Sequence, residues 1–283
     1  MTTHPASLPQ PVTIVGAGRA GRGIAAAMHA AGVPATLVDR VAVVQGPDGT
    51  RDQAIARAAL LVVAVRDAQL DECLRALAAS RAHGPRTIML QVSGSAEPDE
   101  RAQVTAAGHA YGTFHPLLPL ADPAVAAARF HGAVVGVEGD APAHDAACAL
   151  AARLGAVTIE IPRASRATYH AAAVLASNFP VTLAALAESL LQRIGVADGE
   201  AHRAVRVLIA SVDNLTAADR ALDALTGPLV RGDTATIAAH LHALAHVAPD
   251  VLATYRTLTD ATAAMLSVRA SGPDAAASVH IAD

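Results

Sequence analysis

A short β-branched run, Val12-Thr13-Ile14-Val15, leads directly into Gly16-Ala17-Gly18-Arg19-Ala20-Gly21, a Gly-x-Gly-x-x-Gly turn. The three glycines have separate tasks. The first permits a tight turn, the second lets backbone approach a pyrophosphate, and the third lets the following helix pack on the strand. At the start of that helix, N–H groups without intrahelical acceptors and the positive end of the helix dipole can hold a diphosphate with no cationic side chain. The chain has no lysine at all, so this matters. The spacing predicts a helix from about Arg19 to Ala31, stopped by Gly32, and a second strand over Ala35 to Val38.

In open α/β sheets ligands bind beyond the carboxyl ends of the strands. Three loaded positions follow predicted strands: Asp39-Arg40, Ser93-Gly94-Ser95 and His115-Pro116. Asp39, 23 positions beyond Gly16, is placed to accept from the adenosine ribose of NAD. Arg40 suits the 2′-phosphate of NADP instead, so the expected cofactor is NADP or NAD, with NADP slightly favoured. Gly16, Ala17, Gly18, Arg19, Ala20, Gly21, Asp39, Arg40 and Val65 are the expected cofactor residues. Ser93 and His115 end consecutive strands and are expected to form a polar pair, with the imidazole giving or taking a proton and the hydroxyl orienting a substrate oxygen. A turn residue held before Pro116 for backbone reasons is the alternative reading of His115.

Further along, Tyr169-His170 to Ser177-Asn178 opens a long helix. His170 and Ser177 fall nearly on one line, two turns and about 10 Å apart, with Asn178 turned by about 80°. His170 is a candidate general acid, Ser177 a substrate contact, and Asn178 a group that polarises a carbonyl if Pro180 turns it inward. Packing between helices is the alternative for all three. In the loop Leu225 to Asp233, Arg231 could grip a substrate carboxylate in a bidentate pair, and Asp233 is read as the cap of the helix beginning at Thr234. His242 and His246 lie one turn apart, but no Glu or Cys completes a ligand set, so no metal site is expected.

Strand-like runs at Leu60 to Val65, Thr87 to Val92, Ala110 to Phe114, Ala133 to Val137 and Val157 to Ile161 alternate with helical patterns. They predict an α/β, doubly wound, mostly parallel Rossmann sheet over residues 11–162. After Pro162 the pattern turns all-helical, over about Ser165 to Ile194, Gly199 to Asp223, Thr234 to Ala245 and Asp250 to Val268, giving a helical substrate and dimerisation domain over 163–270. Pro180 is expected to kink or split the first of these helices. Residues 1–10 read as a disordered lead-in and 271–283 as a loose tail. With 283 residues and 53% hydrophobic composition, the chain can bury a sizeable core. The longest uninterrupted apolar run, Ala58 to Val65, is far short of a span, so no membrane and a cytoplasmic location are expected. Net charge −4 and 2% aromatics exclude a nucleic-acid surface, and Cys73 and Cys148 have no redox or metal spacing.

Five segments together resemble a bacterial family of Rossmann-like proteins whose C-terminal half is a domain of unknown function, within the 6-phosphogluconate dehydrogenase-like superfamily. They are Gly16 to Gly21, Val92-Ser93-Gly94, His115-Pro116-Leu117, Tyr169-His170-Ala171-Ala172 with Ser177-Asn178, and Leu225-Thr226-Gly227-Pro228 to Arg231-Gly232-Asp233. The likeness spans about Pro11 to Val268. It implies an NAD(P)-dependent oxidoreductase, a homodimer built on the helical domain, and a small-molecule carboxylate substrate. Ketopantoate reductases and hydroxyacid dehydrogenases look similar in architecture but usually carry a lysine on the helix that here begins near Tyr169, where His170 is the available substitute. A ketopantoate-like 2-oxo acid is the leading expectation. The Ser and His-Pro of prephenate dehydrogenases resemble Ser93 and His115, and an imine-reducing enzyme or a non-catalytic nucleotide sensor are further alternatives.

Overall fold

The computed structural model describes residues 7–44, 50–79, 87–120, 122–210 and 218–270. Among them, β1 (Val12–Val15), β2 (Ala35–Val38), β3 (Leu60–Val63), β4 (Ile88–Gln91), β5 (Ala110–Pro116), β6 (Val134–Gly139) and β7 (Val157–Glu160) form one sheet in the order β2-β1-β3-β4-β5-β6-β7. Strands β2 to β5 are parallel, β6 runs antiparallel to β5, and β7 is parallel to β6. The chain steps from β1 outward to β2 and then back across to β3, so strand order reverses between β1 and β3. A crevice opens at such a switch point, and the glycine turn sits there.

Strands covered on both faces read as continuous apolar runs, and this is why Leu60-Leu61-Val62-Val63 is buried throughout. Leu60 and Val62 point into a layer closed by α1 (Arg19–Ala30), through Ile24, Ala27 and Met28, with Phe130 of a later helix and Ala143, Ala147 and Leu150 of another. Leu61 and Val63 point the opposite way, onto Leu70, Cys73, Leu74 and Leu77 and onto Val104. The first layer thus contains α1, α6 (Pro123–Phe130) and α7 (Ala141–Arg153). The second contains α2 (Arg40–Val44), α3 (Thr50–Arg57), α4 (Leu70–Ala79) and α5 (Arg101–Ala106). Gly23 lets α1 meet α6 closely, since an added Cβ would stand 3.5 Å from Ala126 of α6 and 3.1 Å from Leu120 just before it. Leu8, in the expected lead-in, packs on the first layer; residues 1–6 of that lead-in and the expected tail 271–283 lie outside the described residues.

The chain divides into two compact units, Met1–Val174 and Leu175–Asp283. The division falls inside α8 (Arg166–Arg193), which runs through Pro180 without ending. The expected split at Pro180 is therefore not observed: one lost backbone bond in a 28-residue helix is outweighed by the hydrogen bonds on either side. The second unit continues with α9 (Asp198–Ala210), a 3-10 turn at Ala221–Ala224, α10 (Thr234–Val247) and α11 (Pro249–Ala270). Of the helix expected over Gly199 to Asp223, the described part up to Ala210 is α9, the stretch 211–217 lies outside the described residues, and the 3-10 turn begins at Ala221. Leu244, Ala248 and Val251 form a small core with Leu186 and Leu190, and Arg193 grips Asp250 with two bonds of 2.6 and 2.8 Å.

Residues 163–193 are long and apolar enough, by length and composition, to cross a membrane, with a mean hydropathy of 1.5 over their best window. Counting uninterrupted apolar runs misses this, because isolated Ser, Asn and Thr residues break the run without lowering the mean. Within the second unit Leu175, Phe179 and Val181 are exposed on this helix.

Candidate active site

The glycine turn is built from the inside out. Gly16 has φ +109°, donates its N–H to Val38 O at 2.9 Å, and would place a Cβ 2.3 Å from Ala64 O. A Cβ on Gly21 would stand 1.9 Å from Gly16 O. Both are glycine because the fold leaves no room. Gly18 differs: its φ of −76° and ψ of −173° suit any residue, and an added Cβ would meet nothing within 4 Å. No contact within the protein requires a glycine there. What the missing side chain leaves is open space against the first turn of α1, whose N-cap has no side-chain bond and whose first turn carries no acidic residue. A dinucleotide's diphosphate fits such a cradle. Val65, half-buried after β3, borders it, with Cγ1 3.2 Å from the position of a Gly16 Cβ. Arg22 donates Nε–H to Ala17 O at 2.8 Å and braces the loop.

At the end of β2, Asp39 accepts the Val41 N–H at 2.8 Å and so holds the start of α2. Arg40 is bound to Glu72 of α4 at 3.0 Å, a partner not anticipated from sequence.

His115, near the end of β5, does not pair with Ser93 as expected. Its Nδ1 lies 2.8 Å from the Tyr169 hydroxyl, the two rings are nearly perpendicular, and His170 lies 6.1 Å away between ring centroids. Ser93 instead accepts the N–H groups of Ser95 (3.3 Å) and Ala96 (2.9 Å) and shapes the loop after β4, as serine does in tight turns. Two glycines make room for the His–Tyr pair. A Cβ on Gly94 would stand 2.5 Å from the His115 ring, and one on Gly136 would stand 2.3 Å from the Tyr169 oxygen.

Burial pushes the His115 imidazole down to about 4, helped by the positive charge of Arg166 and by His170, with Asp67 acting weakly against. Burial likewise raises the Tyr169 phenol to about 12, opposed by Arg166 and the Gly136 backbone. At neutral pH both groups are uncharged.

This depression has a stability consequence. An unfolded chain protonates His115 near 6.5, whereas the folded chain refuses that proton until about 4, so stability is intact above pH 6.5 and is lost as pH falls toward 4. The loss is about 3 kcal/mol at most. Urea titrations should show a steeper decline between pH 6.5 and 4.5 for the wild type than for His115→Gln, and equal declines would contradict the burial argument.

Beneath the pair runs a polar network that sequence reasoning missed. Arg166 is buried, donates to Thr113 Oγ1 and to Ala96 O (3.2 Å), and lies 3.3 Å from Glu138 Oε2, which Arg101 also engages. Gln91 donates to Thr113 at 3.2 Å and accepts the Ser93 N–H at 2.9 Å. A buried guanidinium is tolerable here because Glu138 matches its charge and both terminal nitrogens donate hydrogen bonds, while Nε makes only an ion-pair contact of 3.5 Å with Glu97. The available signal was the polar residues Gln91, Thr113 and Glu138 set in otherwise apolar strands.

The remaining expected site residues lie in the second unit. Ser177 donates to Asn178 Oδ1 at 2.9 Å, and both are exposed. Arg231 is exposed in the loop before α10. Asp233 caps α10, accepting the Thr236 N–H at 3.0 Å. Among the described residues no group of three or more His, Cys, Asp or Glu could hold a metal. In the first unit, an open cleft of about 1130 Å³ is lined by Glu97, Asp99, Arg101, His109, Asp140 and Arg163, with Ile88 and Ala110 at the amino ends of β4 and β5, away from the glycine turn.

Residues 133–262 match the family model described as a domain of unknown function, DUF2520. That match covers just under half of the chain. No curated protein is similar to it in sequence. Among solved structures, it is similar to a Bacteroides fragilis protein described as a candidate NADP oxidoreductase, at 19% identity and a TM-score of 0.67 over 90% of this chain and 98% of that one. A Thermotoga maritima protein matches at 20% identity and 0.67, over 89% and 96%. A reductive aminase from Aspergillus terreus, in complex with NADPH and ethyl levulinate, matches at 21% and 0.57, over 90% and 93%. These likenesses establish the Rossmann-like fold with its helical continuation. The DUF2520 match begins just before β6 and ends within α11, so it holds Gly136, Arg166, Tyr169 and His170, whereas His115 and the glycine turn precede it.

Proposed function

We propose that this protein binds a nicotinamide dinucleotide at Gly16–Gly21 and transfers a hydride to or from a small carbonyl compound, a carboxylate-bearing 2-oxo or 2-hydroxy acid being the leading class. The observation that carries this reading is the open space at Gly18 beside the first turn of α1, in a turn whose other two glycines the packing of the fold requires. When bound, the nicotinamide supplies or accepts the hydride. Around it, the first turn of α1 would hold the diphosphate, and His115 would present an N–H that stabilises the oxyanion formed as hydride reaches the carbonyl carbon, the proton that completes the alcohol coming from water. Ser93, whose oxygen is taken up as an acceptor, still has its hydroxyl proton to donate. Arg231 is proposed to grip a carboxylate, and His170, Ser177 and Asn178 to line the substrate side.

NADP is the favoured nucleotide. The Arg40–Glu72 pair is partly exposed, and such pairs are worth about 1 kcal/mol or less, so a 2′-phosphate exchanges for Glu72 at little cost. Asp39 gives one carboxylate oxygen to the Val41 N–H and keeps the other available to a ribose hydroxyl.

The low proton affinity of His115 also favours a second substrate class. A protonated imine needs no acid when it accepts a hydride, and the reductive aminase among the structural neighbours is consistent with it. The test is to incubate the purified chain with NADPH or NADH and panels of 2-oxo acids and cyclic imines, following nicotinamide absorbance. Oxidation with one class is expected, faster with NADPH; binding without turnover on any substrate would replace the enzyme with a nucleotide sensor.

A further inference from the structure

We propose that Tyr169 is a positioning residue that holds His115 in the neutral tautomer with its proton on Nε2. The proposal deepens the role given to His115 above and rests on that role for its catalytic consequence, but the tautomer itself is a property of the chain alone.

Geometry and acidity together set the direction of the hydrogen bond. The Tyr169 oxygen stands against the strand position of Gly136 in β6, where an added Cβ would be 2.3 Å away. Between a phenol and a neutral imidazole the phenol is the stronger acid and the bare ring nitrogen the stronger base, so the O–H donates and the nitrogen accepts. Among the described residues the acceptor within reach is His115 Nδ1, at 2.8 Å. Nδ1 therefore carries a lone pair, and the ring's proton sits on Nε2. The neutral imidazole has one donor and one acceptor, so fixing one nitrogen decides the other. Gly94, which would otherwise crowd the ring at 2.5 Å, lets the imidazole lie where this bond is made. A donor aimed at the substrate and never needing to ionise follows from these contacts.

The charged and titratable groups facing His115 are Tyr169, His170 and Arg166 of α8 and Asp67 after β3. Removing the phenol proton donor withdraws support from the neutral ring, while the other groups stay in place. The midpoint of His115 should then rise.

The experiment is nitrogen-15 NMR of the histidine rings in the nucleotide-free chain, with the His115 signals assigned by their loss in His115→Gln. The wild type should show protonated Nε2 and unprotonated Nδ1 from pH 5.5 to 8. In Tyr169→Phe the two tautomers should exchange, and the titration midpoint should move up by about one pH unit toward the reference value. Gly136→Ala, which keeps the tyrosine but pushes its hydroxyl away, should produce the same change. A wild-type ring protonated on Nδ1 would overturn the proposal, and so would a Tyr169→Phe spectrum and midpoint equal to the wild type. The wild-type spectrum decides the tautomer even where a variant fails to fold. Because no cofactor or substrate is present, this outcome is separate from the fate of the enzymatic reading. If that reading also holds, Tyr169→Phe lowers kcat about tenfold with little change in KM.

Discussion

Replacing His115 by alanine is expected to lower turnover by about 10²-fold or more while dinucleotide affinity stays nearly unchanged. A single preorganised hydrogen-bond donor at a developing oxyanion accounts for roughly that factor. The imidazole is set up to be such a donor: buried, neutral down to about pH 4, and tied through Nδ1 to Tyr169. A histidine acting as an imidazolium acid would lose activity as pH rises through about 6.5. Here kcat should stay level from pH 5.5 to 8. Alanine also leaves the Tyr169 hydroxyl without its acceptor, at a cost of about 1–3 kcal/mol, so the variant's fold should be checked by circular dichroism. His115→Gln, which restores a side-chain N–H, should recover part of the loss. Full activity in a folded His115→Ala would remove the imidazole from the mechanism.

The second large effect is expected at Gly18. Gly18→Val should fold with a thermal midpoint close to that of the wild type, because the backbone there suits any residue and nothing lies within 4 Å of the new Cβ. Its dinucleotide affinity should fall by about 10²-fold, near 3 kcal/mol, because the branched side chain fills the space where phosphate oxygens approach the amides. Gly21→Ala is the contrasting case: its Cβ would collide with Gly16 O, so it should lose stability together with binding. A Gly18→Val chain that is folded and binds as tightly as wild type would mean that the open turn serves another purpose.

Much of this architecture was legible before any coordinates. The seven strands lie where apolar runs alternate with helical patterns; the central strands are apolar throughout because both faces are covered, whereas the edge strands β2 and β7, the latter exposed at every position, show themselves by β-branched residues. The helix after the glycine turn and the Asp233 cap are equally local, set by residues within a turn of one another. At Pro180 the split, one of the two outcomes expected there, does not occur, because local propensity says where a helix is weak, not whether the rest of a long helix carries it. The site was legible in part. His115 and the glycines announce themselves by type and place, but the partner of His115 is 54 positions away, and pairing by chain order suggested Ser93 instead. Serine this close to a turn has backbone N–H groups nearer than any side chain, and it took them. Arg166 and Glu138 were invisible for a similar reason, since a buried ion pair depends on contacts across the sheet that no periodicity records.

The most direct test is a calorimetric titration of the purified wild-type chain with NADPH and, separately, with NADH, repeated with Gly18→Val. Saturable heat at one site per chain, stronger for NADPH and nearly abolished in the variant, is the predicted result. A folded wild-type chain that gives no heat with either coenzyme would contradict the account at its base.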